Sequence, residues 1–428
     1  MRFMVKFLII CLPLWSFLCG GEVAFILTSD LHGELERFAY LAPVIRKYPQ
    51  AVKIDAGDLF QGNYHVNKSK GIPVWKALNI LGYEAAVLGN HDFEYPLETM
   101  QLWQRTFSGT LMGGQWKLKN FELPCKMTVE RSGYRIGIIA LGDVGLKKCT
   151  LFRQDLSYSD EITTVREAIE SLKKEKCHAF ILVAHISSGN FGVLNRIIRD
   201  APEIDVIAGA HSHRSEPGRR IGRALVVQAD PYGKSAVLFK LNFDDGGNLS
   251  FVRSELLMPS NTPDMEILKL CGSNEDTSDK LAKFADSAEF GAVCAEILRR
   301  AAGADAAFFR FNTDKFPVSL TDKALFSLLP FGNRIVRITA GRAEIRKFLK
   351  KRRRKNKAFF RAGNFDGNGI VTIAVSDHFF LSEKDLHSFS AVETGKFERD
   401  EIVKALKNGE YRKIICEKVE KSSSGTTL

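Results

Sequence analysis

Five short apolar runs in the sequence each lead into residues able to hold a cation, and this ordered set restricts the fold more than any other feature of the chain. Val23–Leu27 leads into Asp30-Leu31-His32-Gly33, Ala51–Ile54 into Asp55-Ala56-Gly57-Asp58, and Ala85–Leu88 into Gly89-Asn90-His91-Asp92. Phe180–Ala184 ends at His185, and Asp205–Ile207 is followed by His211-Ser212-His213. Arg135–Leu141 and Leu225–Gln228 are further runs of the same kind. Short strands separated by polar clusters and amphipathic segments predict an α/β fold, with Asp160–Lys176 as the clearest helix. The carboxyl ends of strands in such sheets converge on one crevice. Carboxylate, amide and imidazole groups from separate segments therefore meet in one place.

The mixture suits a pair of divalent cations. Two such ions about 3.5–4 Å apart need a bridging carboxylate and several terminal ligands, polarise phosphoryl oxygens and generate a hydroxide near neutral pH. Imidazole with carboxylate fits Mn, Fe, Zn or Co. Another group must protonate the departing oxygen. Five of the nine histidines (His32, His91, His185, His211, His213) fall in these clusters, whereas His65, His178, His378 and His387 read as ordinary surface or core residues. Gly33, Gly57 and Gly89 allow tight turns beside the cations.

Asp-x-His, Gly-Asp, Gly-Asn-His-Asp, a lone His and Gly-x-His-x-His, in that order, resemble the motif set of calcineurin-like metallophosphoesterases. Thr28-Ser29-Asp30-Leu31-His32-Gly33, Gly89-Asn90-His91-Asp92-Phe93-Glu94 and Gln228-Ala229-Asp230-Pro231-Tyr232-Gly233-Lys234 are similar to the 5′-nucleotidase and UDP-sugar hydrolase family. The resemblance implies a calcineurin-like β-sandwich flanked by helices, followed by a smaller α/β domain. It implies that Asp30, His32 and His213 bind one metal, that Asn90, His185 and His211 bind the other, and that Asp58 bridges. It gives His91 the task of stabilising the transition state and assisting the leaving group, paired with Glu94, where many relatives carry Asp. A dimetal-bound hydroxide would attack phosphorus in line with the leaving oxygen.

Organisation along the chain gives a first unit at 22–257, a polar linker with a short helix at 258–283, a second unit at 284–419 and a frayed tail at 420–428. Ala304-Asp305-Ala306-Ala307, Leu329-Pro330-Phe331-Gly332-Asn333 and Thr339-Ala340-Gly341 resemble the first half of the family's nucleotide-binding domain. The resemblance makes Phe331 one ring stacking on the base, Asn333 a contact to it, and Phe379 or Phe380 the second ring. The family's phosphate-holding arginine loop is replaced by Phe311-Asn312-Thr313-Asp314-Lys315, leaving Arg310 or Arg334 as substitutes, and Ser382-Glu383-Lys384-Asp385 stands where a Gly-Gly-Asp loop belongs. Lys350–Lys357 reads as a solvated loop, with attraction of phosphates or membrane headgroups as the alternative.

A net charge of +11 favours anionic partners, and much of it sits in one run near residue 350. Substrates expected are nucleoside 5′-monophosphates or nucleotide-sugar pyrophosphates; the rivals are a cyclic-nucleotide or other phosphodiesterase, and an exported binding protein without catalysis. Nucleic acid is not an expected partner, and oligomeric state is left open. Arg2 and Lys6 before the apolar stretch Phe7–Leu18, then Cys19, Gly20 and Gly21, form the pattern of a signal peptide over 1–21. This predicts export to the periplasm, cell surface or medium. Cys19 offers lipidation and a membrane anchor as an alternative, although Leu18 is larger than a lipobox wants. The other six cysteines are scattered without a C-x-x-C pair; they do not form a zinc motif, and 15 pairings stay open.

Overall fold

The computed structural model describes residues 20–143, 156–186, 191–272, 279–312, 316–317, 319–352 and 359–423. The signal-peptide residues before Gly20, with Cys19, lie outside this set, as do Cys149 and most of the basic run.

Two six-stranded sheets face each other in the first unit. One has the spatial order Leu249–Leu257, Ala236–Phe243, Glu22–Thr28, Val52–Asp55, Tyr83–Val87, Thr110–Met112. The other runs Glu216–Ile221, Ala224–Gln228, Val206–Ala208, Ala179–Ala184, Tyr134–Leu141, Lys126–Arg131. The last four strands of the first sheet are parallel neighbours, as are the four central strands of the second. Strands buried on both faces read as unbroken apolar runs. Val23, Phe25 and Leu27 face the inter-sheet core with Ile136, Ile181 and Val206, while Ile26 turns to the opposite side under the helices. The predicted helix forms over Glu161–Lys174, capped by Asp160, whose carboxylate accepts the Thr163 N–H; Val165, Ala168, Ile169 and Leu172 bury its inner stripe. The architecture is thus the helix-flanked β-sandwich expected, with a second α/β unit after it.

That second unit centres on a five-stranded sheet ordered Phe359–Gly363, Ala306–Arg310, Ile370–Ser376, Arg334–Gly341, Ser390–Phe397. The helix Ser287–Ala302 covers one face, and Arg342–Arg352 with Asp377–Ser382 covers the other. The predicted linker is not a bare tether. Residues of Asp264–Cys271 pack on the first unit: Arg46 binds Asp264 at 2.6 Å and Glu266 at 2.9 Å, and the Asp264 N–H reaches the Ala39 carbonyl. Lys280–Ala282 is a strand paired with Leu320–Thr321. The C-terminal helix Glu410–Ser423 carries regular structure into the tail expected to fray.

Candidate dimetal site

Asp30, Asp58, Asn90, His185, His211 and His213 all follow the carboxyl ends of parallel strands, so the sheet order alone brings them together. Asp30, His32 and His213 each offer a ligand atom within 4.8 Å of the others, and so do Asp58, His185 and His211. Asp58 stands between the groups: its Oδ2 is 3.2 Å from His185 Nε2 and 3.9 Å from His32 Nε2. Asn90 Oδ1 lies 3.2 Å from His185 Nε2 and 2.9 Å from His211 Nδ1. Asp30, Asp58, His32 and His185 are buried, whereas His211 and His213 form the open rim.

Hydrogen bonds from behind fix which ring nitrogen faces inward. His32 Nδ1 donates to the Gln61 carbonyl at 2.7 Å and His185 Nδ1 to the Ala56 carbonyl at 2.8 Å. A carbonyl can only accept, so each Nε2 is turned to the cluster, the arrangement second-sphere partners impose on metal-ligating histidines. Burial pushes His32 below its ordinary pKa and keeps the imidazole neutral. Burial also acts to lower His185, but the Asp58 carboxylate overrides it and raises the group to about 10. Burial opposes ionisation of Asp58, yet His185 holds it below the usual carboxylate range. A carboxylate that draws protons onto its neighbours is equally suited to cations. His32 Nε2 and His213 Nε2 converge to 3.0 Å. The donor set therefore fits two divalent ions.

The backbone is bent to achieve this. Among the described residues ten non-glycines have positive φ, and five of them are candidate ligands: Asp30 (51°), His32 (50°), Asp58 (56°), His211 (71°) and His213 (54°). Such conformations cost side-chain-bearing residues about 1–2 kcal/mol each and gather at functional sites. Gly57 and Gly89 make the close approach: a Cβ on Gly89 would fall 2.2 Å from Asp58 Oδ1, and one on Gly57 2.5 Å from Gly89 N.

His91 stands beside the cluster, its Nδ1 2.6 Å from Glu94 Oε1. Burial works to lower this imidazole; the Glu94 hydrogen bond and the Asp58 charge raise it to about 9. Asp92, given no role by sequence reasoning although it lies in the Gly-Asn-His-Asp motif, accepts the N–H groups of Asp58, Leu59 and Gly89 at 3.0, 3.1 and 2.9 Å. Tyr232, from the quoted Asp-Pro-Tyr-Gly segment, places its hydroxyl 3.2 Å from His213 Nδ1.

The second unit reaches into this site. The Phe331 ring, 39% exposed, lies near-parallel to His91 at a centroid distance of 5.5 Å and to His378 at 6.1 Å. The expected second ring is corrected here: Phe379 and Phe380 are buried in the second unit's core, and Phe379 packs against Phe308 and Phe359. Ser376 caps the helix by accepting the Phe379 N–H, which sends residues 379 and 380 inward and leaves His378 outside. Asn333 turns its amide to Glu398 Oε2 at 3.0 Å. Arg334 pairs with Glu393 at 2.8 Å, and Arg310 lies 3.8 Å from Glu383. Arg399, unforeseen in the sequence, donates to the carbonyls of Leu329 and Pro330 and so holds the loop that carries Phe331.

Residues 23–215 match the family model described as calcineurin-like phosphoesterase. A Mus musculus 5′-nucleotidase is 24% identical over 308 residues, 60% of this chain and 53% of that protein. The chain spans about half the length of the curated relatives it matches. Among solved structures, a 5′-nucleotidase precursor from Thermus thermophilus superposes with a TM-score of 0.63 at 18% identity, covering 91% of this chain and 96% of that one. An NAD nucleotidase from Haemophilus influenzae gives 0.61 at 16% identity, covering 91% and 97%. At these identities the likeness is one of fold, and it extends over both units.

Proposed function

We propose, from the match of residues 23–215 to the calcineurin-like phosphoesterase model, that the chain is an exported, metal-dependent phosphohydrolase acting on nucleotides, of 5′-nucleotidase or UDP-sugar hydrolase type. The observation that carries this reading is the pair of donor triads with Asp58 between them and the His91–Glu94 pair alongside. Asp30, His32 and His213 would hold one cation and Asn90, His185 and His211 the other, shared through Asp58. Such a pair supplies charge stabilisation at the phosphoryl oxygens and a hydroxide nucleophile.

The chain's own residues do the rest. Gln61 and Ala56 orient the ligating rings through their carbonyls. His91, kept protonated by Glu94, is placed to neutralise charge on the phosphoryl group and to give its proton to the leaving oxygen. Phe331 and His378 offer aromatic faces for a base, which stacks on such rings with little preference for identity. The division at 257 and 284 belongs to this reading and is supported by separate apolar cores in the two units. Export rests on the N-terminal composition and is tested by N-terminal sequencing of the protein recovered from culture medium or periplasm.

A second reading, a phosphodiesterase with a vestigial nucleotide pocket, is favoured by the inward-facing Phe379 and Phe380 and by arginines already paired with Glu383 and Glu393. Phosphate release from AMP and UDP-glucose, measured with Mn²⁺ or Co²⁺ and against Asp58→Asn, decides between them. Nucleotide turnover lost in the variant supports the first reading. Cleavage of a generic phosphodiester alone supports the second, and bound metal without turnover would leave a binding protein.

A further inference from the structure

Eleven of the twenty residues from 342 to 361 are Lys or Arg and one, Glu344, is acidic, so this stretch holds ten of the chain's eleven net positive charges. The first part of it is the helix Arg342–Arg352. Ile345, Phe348 and Leu349 bury its inner side in the core of the second unit. Lys350 and Lys351 therefore belong to a helix and not to the loop expected from sequence. Lys347, Lys350 and Lys351 are exposed at i, i+3 and i+4, a spacing that sets like charges side by side and destabilises a helix. Lys351 is offset by Asp385 at 2.7 Å; among the described residues no carboxylate lies within ion-pair distance of Lys347 or Lys350. Arg342 and Arg346 are used differently, donating to the carbonyls of Asn364, Asp366, Phe365 and Gly367.

Beside the lysines lies an open groove of about 830 Å³, lined by the three lysines, Ser388 and the rings of Phe348 and Phe389, with Glu344 and Asp385 as its acidic members. We propose that this lysine face docks the protein on an anionic phospholipid surface. Charge complementarity selects the partner: clustered lysines on one helix face are attracted to an anionic headgroup layer, each adding to the binding. Single-stranded nucleic acid is disfavoured because Phe348 is buried and Phe389 partly so, which leaves little ring surface for base stacking. Among the described residues no helix is long and apolar enough to cross a membrane.

The test is cosedimentation of the full chain with phosphatidylglycerol-rich vesicles and with phosphatidylcholine vesicles. Binding to the former alone, falling as salt is raised, is the expected result. Lys347→Gln/Lys350→Gln/Lys351→Gln should weaken it on the order of a hundredfold. Lys117→Gln/Lys174→Gln/Lys269→Gln, which removes the same charge from other exposed positions, should bind like the parent. Equal loss in both triple variants overturns the proposal, as does vesicle binding that millimolar glycerol phosphate abolishes, since that marks a single-headgroup pocket. Retention of short RNA without vesicle binding also overturns it. Thermal melts of both variants verify that each is folded.

Discussion

The backbone N–H of Gly332 donates to Glu94 Oε2 at 2.7 Å, while His91 Nδ1 donates to the other oxygen of the same carboxylate at 2.6 Å. Two residues more than two hundred positions apart, one in each unit, are thus joined through one carboxylate. Glycine suits this approach, because a Cβ at 332 would lie 3.0 Å from Glu94 Cβ and press on that side chain. The loop that carries Phe331 also holds the carboxylate bonded to His91.

His91→Asn should therefore lower kcat by about 10²–10⁴-fold, the usual worth of a positioned acid or base, without changing the metal content. Glu94→Gln should have the smaller effect of the two. Single-turnover phosphate release with metal analysis of the purified variants checks both parts; loss of metal in His91→Asn would place that residue among the ligands instead.

Asp92→Ala would leave the N–H groups of Asp58, Leu59 and Gly89 without their acceptor. Each buried unsatisfied donor costs about 1–3 kcal/mol. The expected outcome is a destabilised chain whose cation affinity falls about 10–100-fold, as for other groups that support ligands from behind. Denaturant melts and competitive metal titration measure the two effects separately.

Burial raises the Glu398 carboxyl from 4.5 to about 7. The folded chain then binds this proton more tightly than the unfolded chain. Its stabilising contribution is complete below pH 4.5 and is lost as pH rises through about 7, a change of about 3 kcal/mol at most. Glu398→Gln keeps an acceptor for Asn333 and should flatten this slope. Chemical denaturation between pH 5 and 8 reads it directly.

Phe331→Ala removes a ring that stacks on His91 and that the proposed function assigns to base stacking. KM for AMP should rise by about 5–150-fold, the equivalent of 1–3 kcal/mol of stacking. KM for a generic phosphodiester, which has no base to stack, should not rise. An equal loss on both substrates would make the ring a structural support of His91.

The candidate ligands were legible in the sequence because each is a polar residue that breaks an apolar run, and parallel strands leave no freedom about where such breaks converge. His185 ends its run directly, whereas choosing Asp58 over Asp55 rested on the motif resemblance. The left-handed backbone at Asp58 and other donors was not legible, since Asp and His announce no preference for it as glycine does. Phe379 and Phe380 were misread for a local reason: the phase of a short helix depends on where it starts, and Ser376 as its cap exposes His378. Arg399 and Gly332 could not have been found from spacing, because their roles depend on how two separately folded units meet. The packed linker was hidden likewise, its polar residues serving as partners for Arg46 and for the backbone at Ala39.

The five left-handed donors carry a consequence for the chain's history as well as its chemistry. With no cation to hold, His213 gains nothing from a φ of 54°, and glycine in its place would relieve about 1 kcal/mol. The same holds in kind for His211 and His32. Selection for folding alone would thus favour dismantling the pocket one residue at a time, each step making the cation-free protein sturdier. Under the proposed dimetal reading, cation binding is what offsets the cost of these five bends.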